Sequence, residues 1–593
     1  AGNAEKLPYT FGKFKGACGM GRMTTGTISF YGNRLGAMGI YAVMVLILTL
    51  LITPPSLLAE ESLQKQAEKG NGEAQLNLGL LYYAGKEVPQ DYLKAMYWFQ
   101  LSAKQGIAKA EYYVGRMHAH GLGVKQDDEE AVNWYRKAAE KGYQDAQTNL
   151  GFMYYSGRGV PRDDAEAVIW FRKAAEGGDP AGQTNLGFMY HTGRGVSQND
   201  VEAVRWYKKA ASQEYPDAQY DLGMMYSGGM GVPKDDDEAL KWFRKAAVQG
   251  NAPAQNNLGY LHFLGAGVPQ SDGEAVSWYR KAAEQGNADA QTNLGFMYYN
   301  GRGVPMDRAE GARWFRKGAE QGSAVAQHNL GFFYFKGLGV PYSDAEAVKW
   351  YRRAAEQGYP PAQTSLGFMY YNGRGVPQND GEAAKWYRMA AVRGDAVAQN
   401  NLGDMYTTGA ASVPQNYTEA AKLFQSAAEQ GYPPAQTNLG FLYFNGRGVP
   451  QNTTEAEKWF RRAAEQGDAA AQTNLGVLFY MGRGIPQNNA EAASWFRKAA
   501  EQGDATAQTN LGFLYFNGRG LPRDYTEAAR WYRRAAEQGN AEAQNNLGMM
   551  YEYGKGVARN ETEALRWFRL AAERGNVTAI TNIERIRSRQ RRP

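Results

Sequence analysis

The thirteen tryptophans of this chain fall on a single lattice. They run from Trp98 to Trp386 in steps of 36 residues and resume at Trp459, Trp495, Trp531 and Trp567 with the same step. The gap between the two runs is one residue longer than two periods, and Leu423 occupies the vacant place. A costly residue confined to one phase of one period marks a unit that is built over and over. The chain is therefore a repeat array, and its length measures the number of repeats rather than the number of independent cores.

Composition agrees with such an array. A hydrophobic fraction of 43% with 13% aromatics excludes a disordered chain, and 71 glycines without a Gly-X-Y period exclude collagen, so glycine serves as punctuation. The formal net charge of +6 lies partly outside the array, because residues 1–34 carry Lys6, Lys13, Lys15, Arg22 and Arg34 against Glu5 alone. A nucleic-acid binder concentrates basic charge on one face. Here only the stretch from Arg585 to Arg592 is basic, and it reads as a solvated tail, so no nucleic-acid partner is expected. Cys18 is the sole cysteine and precedes the array, which leaves no disulfide framework, zinc cluster or catalytic thiol within the chain. No metal or cofactor is expected.

Residues 1–34 read as a basic, disordered extension, with translation expected to start near Met20 or Met23. Residues 35–59 combine an apolar run, the Pro54-Pro55 pair and a small residue, Ala59, before acidic sequence. That pattern is a secretory signal peptide cleaved after Ala59, or an uncleaved membrane anchor through residues 35–52. Both place the array beyond the membrane: periplasmic or extracellular in the first case, tethered to the inner membrane in the second.

One unit, residues 145–178, shows how a repeat is built. Ala146, Leu150 and Tyr154 recur at four-residue spacing and form one stripe of a short helix, here helix A, which Gly157 stops. Asp163 or Asp164 then caps helix B, which carries Ala167, Trp170, Phe171 and Ala174 and ends at Gly178. With so short a connection the two helices pack antiparallel. Gly151 sits inside helix A, where glycine costs about 0.8–1 kcal/mol relative to alanine. Its recurrence in every unit implies close approach by a neighbouring helix, with the Trp170 indole filling the space beside it. Gly151, Gly157, Trp170, Trp206, Trp278, Trp350 and Trp531 are accordingly read as structural.

The run Leu-Gly-x-x-Tyr-x-x-Gly-x-Gly-Val, followed by an acidic residue, Ala-x-x-Trp and Ala-Ala-x-x-Gly, resembles the Sel1-like repeat family, a branch of the tetratricopeptide-type helical repeats. The resemblance covers residues 72–575 in fourteen units. It implies an all-α fold, a right-handed α/α solenoid or superhelix of helix-turn-helix repeats with helix A on the concave side. Residues 60–71 are expected to form an N-terminal capping half-repeat and residues 576–593 a C-terminal capping helix with a basic tail.

If helix A faces a groove, its outward positions are those of Thr148, Phe152 and Tyr155, flanked by Asn149. The candidate partner-binding residues on these rows are Thr148, Asn149, Phe152, Tyr155, Asn185, Phe188, Asn293, Phe296, Tyr299, Asn329, Phe332, Phe335, Phe368, Tyr371, Phe441 and Phe444. Two readings stay open: the rings line a groove for an extended peptide, or they pack between neighbouring repeats. Two units depart from the pattern, one with Tyr113, Val114, Arg116, His118 and His120 and the other with Asp404, Thr407, the inserted Gly409-Ala410-Ala411-Ser412 turn and Leu423. The second is the most irregular, and a bend or a specific contact is expected there. The five histidines are dispersed, and no catalytic motif appears.

These features point to an exported, non-enzymatic scaffold, expected to be monomeric, that binds a protein or peptide along the helix-A groove. A carbohydrate- or cell-wall-binding factor is the alternative. A hydrolase like the disulfide-rich members of the family ranks third, because the array has no cysteine.

Overall fold

The computed structural model describes residues 55–590 apart from 87, 410 and 411. The basic extension, Cys18, the apolar run at 35–52 and two alanines of the inserted turn lie outside the described residues. Among the described residues there are thirty helices and no strand, and the array is an all-α solenoid. No described helix is long and apolar enough to cross a membrane. Contacts divide the chain into two compact units. The division falls near the end of helix Arg308–Glu320, between Gly318 and Ala319. The helices from Pro55–Glu68 to Ala288–Asn300 belong to one unit and those from Ala324–Lys336 to Val577–Gln590 to the other.

Within each unit the repeat is the same. Helix A of the unit read above spans Gln144–Ser156 and helix B spans Asp164–Glu176. Gly157 ends helix A in the left-handed conformation, with φ 71°, and its N–H returns to the Met153 carbonyl. Gly159, also left-handed, packs so tightly on the preceding helix B that a β-carbon would lie 2.1 Å from the Asp128 carbonyl oxygen. Asp163 is the cap of helix B, accepting from the backbone N–H groups of Ala165 and Glu166. Asp164 has a different task, pairing with Arg162 and Arg194. Asn416, Asn452 and Asn560 cap their helices in the same way as Asp163.

The glycine inside helix A does admit a neighbour, but the neighbour is not tryptophan. The ring lying on Gly151 is Phe171, one residue beyond Trp170. Trp170 is buried instead among Ala131, Ala138, Leu150 and Met153, so it joins its own repeat to helix B of the one before. This follows from helical geometry, because adjacent residues point about 100° apart and so meet different neighbours. Trp206 is placed likewise against Leu186 and Met189, and Trp531 against Leu511 and Leu514. Trp350 is buried, and Trp278 is partly buried beside Leu258. A lysine three residues on covers the outer indole face: Lys173 Nζ lies 3.9 Å from the centre of the Trp170 ring.

Both ends are closed by single helices. Ala67, in helix Pro55–Glu68, is buried in the cluster with Leu76 and Leu78. At the other end Ile586, in helix Val577–Gln590, is buried against Ala564 and Phe568. Two of the arginines expected in a solvated tail are instead paired. Arg585 and Arg589 both reach the buried carboxylate of Glu552, the latter at 3.0 Å. A buried charge needs partners, and these two arginines supply them.

Candidate functional site

Most of the outward rows turn out to be joints between repeats. Thr148 is buried, and its hydroxyl donates to the Asp179 cap of the next helix A at 2.6 Å. It is therefore not a groove residue. Thr437 and Thr473 make the same bond to Asp468 and Asp504. Asn185 and Asn329 are also buried, while Asn149 donates to the Asp145 carbonyl and Asn293 to Asn256. The amide row is thus largely spent within the protein.

The aromatic rows are spent in a similar way. The ring at the Tyr155 position of one repeat meets, edge to face, the ring at the Phe152 position of the next. Tyr155–Phe188, Phe263–Phe296, Phe335–Phe368 and Tyr480–Phe513 all do so, with centroids 5.9–6.1 Å apart. Phe188, Phe296 and Phe332 are buried, and Phe152, Tyr155, Tyr299, Phe335 and Phe444 are half-buried. Three rings differ: Phe368 and Tyr371 are each 39% exposed and Phe441 is 46% exposed. They flank the irregular repeat on either side.

The reason lies in what that repeat lacks. Asp404 stands where a ring would meet Tyr371, and Thr407 stands where a ring would meet Phe441. Each missing ring leaves a hollow. One, of about 240 Å³, is lined by Phe368, Tyr371, Tyr387, Asn401, Asp404 and Met405, among others. The other, of about 230 Å³, includes Asp404, Thr407, Tyr417, Asn438, Phe441 and Arg447. Asp404 is common to both. Its carboxylate accepts from Asn400 at 3.0 Å and from Asn438 at 2.9 Å, yet burial outweighs these bonds and pushes its pKa up to about 6. Leu423, in the tryptophan place, is only partly buried beside Tyr387 and Val413.

Two rows escaped the sequence reading. A buried glutamine at the Gln147 position recurs in thirteen of the fourteen units. Gln472, for example, donates to the Ala464 carbonyl of the preceding helix B and accepts from Gln502 at 2.8 Å, so one side chain ties three helices. The exception is Glu111, whose partner is correspondingly Lys141 at 2.6 Å. The second row is the turn arginine. Arg158 holds Asp128, Arg302 holds Asp272 and Arg374 holds Asp344, each with two nitrogens and each 30 residues back. Recurrence at a fixed phase was the available signal for both.

A family model for the Sel1 repeat matches fourteen consecutive units from 72–107 to 541–576, including the longer unit 396–432. The chain belongs to the Sel1 repeat family. Sel1 repeats build helical scaffolds that typically mediate protein interactions. Among solved structures, the protective antigen c5321 of uropathogenic Escherichia coli, which displays an SLR fold, is 34% identical. That match covers 83% of this chain and 97% of the other, with a TM-score of 0.56. A Sel1 repeat protein from Oxalobacter formigenes is also 34% identical, covering 55% of this chain and 93% of its own, with a TM-score of 0.41. No curated protein matches the chain. Within this Sel1 array the described residues contain no group of three or more His, Cys, Asp or Glu side chains placed to hold a metal ion. His191 is occupied with Asp200 at 2.7 Å, and His328 is buried against Tyr351 and Tyr359.

Proposed function

We propose that this Sel1 repeat chain is a non-enzymatic scaffold that docks a protein partner at the irregular repeat 396–432, on the helix-A side. The observation that supports this is the exposure of Phe368, Tyr371 and Phe441 around a single carboxylate, Asp404, while the equivalent rings Phe296 and Phe332 are buried. Exposed rings beside hollows bring a large apolar contact area at small entropic cost, which is what an interface anchor needs. Regular repeats supply the rigid frame, and the most irregular repeat supplies the specific surface.

Photo-crosslinking amino acids placed in the full chain test this reading. Adducts with one defined partner are expected from positions 368 and 441 and not from position 296. Adducts that arise only from helix-B positions such as Arg316 and Lys349 would overturn it. Export through residues 35–59 belongs to the same proposal. N-terminal sequencing of the protein recovered from fractionated cells tests it, and recovery from the cytoplasm with residues 35–59 intact would contradict it.

A further inference from the structure

We infer that the hollow beside Asp404 receives an arginine side chain from an extended segment of the protein partner, in the place where three other joints put an arginine of their own. The inference rests on the reading that a partner docks at this repeat. At three joints the turn arginine reaches back to a ring and a carboxylate nine residues apart. The Arg194 guanidinium carbon lies 4.3 Å from the centre of the Tyr155 ring, and the side chain pairs with Asp164. Arg302 lies 4.1 Å from the Phe263 centroid and pairs with Asp272; Arg374 lies 4.2 Å from that of Phe335 and pairs with Asp344. In these three joints the cation fills the space between ring and carboxylate.

The same nine-residue spacing joins Tyr371 to Asp380. The turn that would supply their cation reads Gly409-Ala410-Ala411-Ser412-Val413 and contains no arginine. Tyr371 is correspondingly exposed, and Oδ1 of Asp380 is buried without a hydrogen-bond partner among the described residues. The adjoining ring is missing too, and a second carboxylate, Asp404, has taken its place. Each oxygen of Asp404 accepts one asparagine hydrogen bond and keeps lone-pair capacity for another donor.

Ring, hollow and the Asp404 carboxylate together match a guanidinium. Its plane stacks on Tyr371, and its N–H groups point sideways to carboxylate oxygens, a geometry an ammonium group reproduces only as a point charge. The neighbouring hollow already has its own cation in Arg447, which donates to the Tyr417 hydroxyl at 3.4 Å. The incoming arginine therefore lies on the Tyr371 side. The raised pKa of Asp404 fits a buried carboxylate without a cation beside it.

Two capped peptides, Ala-Leu-Arg-Leu-Ala and the same sequence with citrulline for arginine, test the inference by calorimetric titration of the full chain. Citrulline keeps the shape and removes the charge. The arginine peptide is expected to bind about tenfold more tightly. Asp404→Asn, which keeps the shape of the site, and Asp404→Phe, which restores the ring of the regular repeats, should both abolish the difference, with circular dichroism unchanged. Equal binding of the two peptides, or no binding of either, would overturn the inference. Crosslinking at position 368 then separates the two readings. If the defined partner is still captured, by wild type and Asp404→Asn alike, only the arginine inference falls; if no partner is captured, the docking reading falls with it.

Discussion

The ring of Phe171 packs directly against Gly151: a β-carbon at position 151 would come within 2.7 Å of ring atom Cε1 and 3.2 Å of the Ala167 carbonyl oxygen. Phe171 is itself fully buried and has nowhere to retreat. Alanine normally favours a helix over glycine by about 0.8–1 kcal/mol, but here overpacking opposes that gain at about 1–3 kcal/mol. Gly151→Ala is therefore expected to destabilise the chain. Chemical denaturation checks this, and the loss should shrink when Phe171→Leu makes room for the new methyl group.

Trp531 tests the inter-repeat joint. Its indole is buried among Leu511, Leu514 and Ala500, so removing it leaves a cavity between consecutive B helices. Trp531→Ala is expected to cost about 3–5 kcal/mol. Because each repeat touches chiefly its neighbours, hydrogen exchange should rise in the helices around 489–537 and stay unchanged at 144–176. A uniform rise across the array would contradict this.

Glu214 occupies a place that its equivalents give to glycine. Its φ is 60°, while Gly178 and Gly250 at the same phase have φ 101° and 94°. A non-glycine residue in the left-handed region carries a cost of about 1–2 kcal/mol. Glu214→Gly is expected to stabilise the chain by about 0.5–1 kcal/mol, after allowing for the greater unfolded-state entropy of glycine. Thermal melts of the two proteins at equal concentration provide the comparison.

Asp221 makes stability depend on pH. It is fully buried one helical turn from Asp217, and burial followed by that like charge pushes its pKa up to about 8. The folded chain thus keeps a proton that the unfolded chain releases near pH 4. Stability from this group is fully present below about pH 4 and is lost as pH rises to about 8. Asn185 and Asn257 hold the equivalent places in the flanking repeats. Asp221→Asn should leave stability unchanged at pH 4 and raise it at pH 8 by about 1 kcal/mol or more. An equal effect at both values would contradict the assignment.

The helices, their caps and the repeat boundaries were legible because they depend on residues close in sequence. Gly157 stops helix A and Asp163 starts helix B through bonds that span only a few residues. The partners of the outward rows were not legible. Thr148 reaches Asp179 and Tyr155 reaches Phe188, contacts 31 and 33 residues away that depend on how successive repeats are stacked. Periodicity gives each residue a face but leaves open what covers it.

The sequence alone determined that this chain is a helical repeat array whose most irregular unit lies near Leu423, since the period, the glycine stops and the vacant tryptophan place there are all counted along the chain. Tertiary structure decided which rings are spent and which remain available. Packing put Phe171 rather than Trp170 on Gly151, buried Thr148, Phe188 and Phe296, and left Phe368, Tyr371 and Phe441 open around Asp404. The physical reason is that exposure depends on the neighbouring repeat: Tyr371 and Phe441 stay available where the residue that should cover each has been replaced.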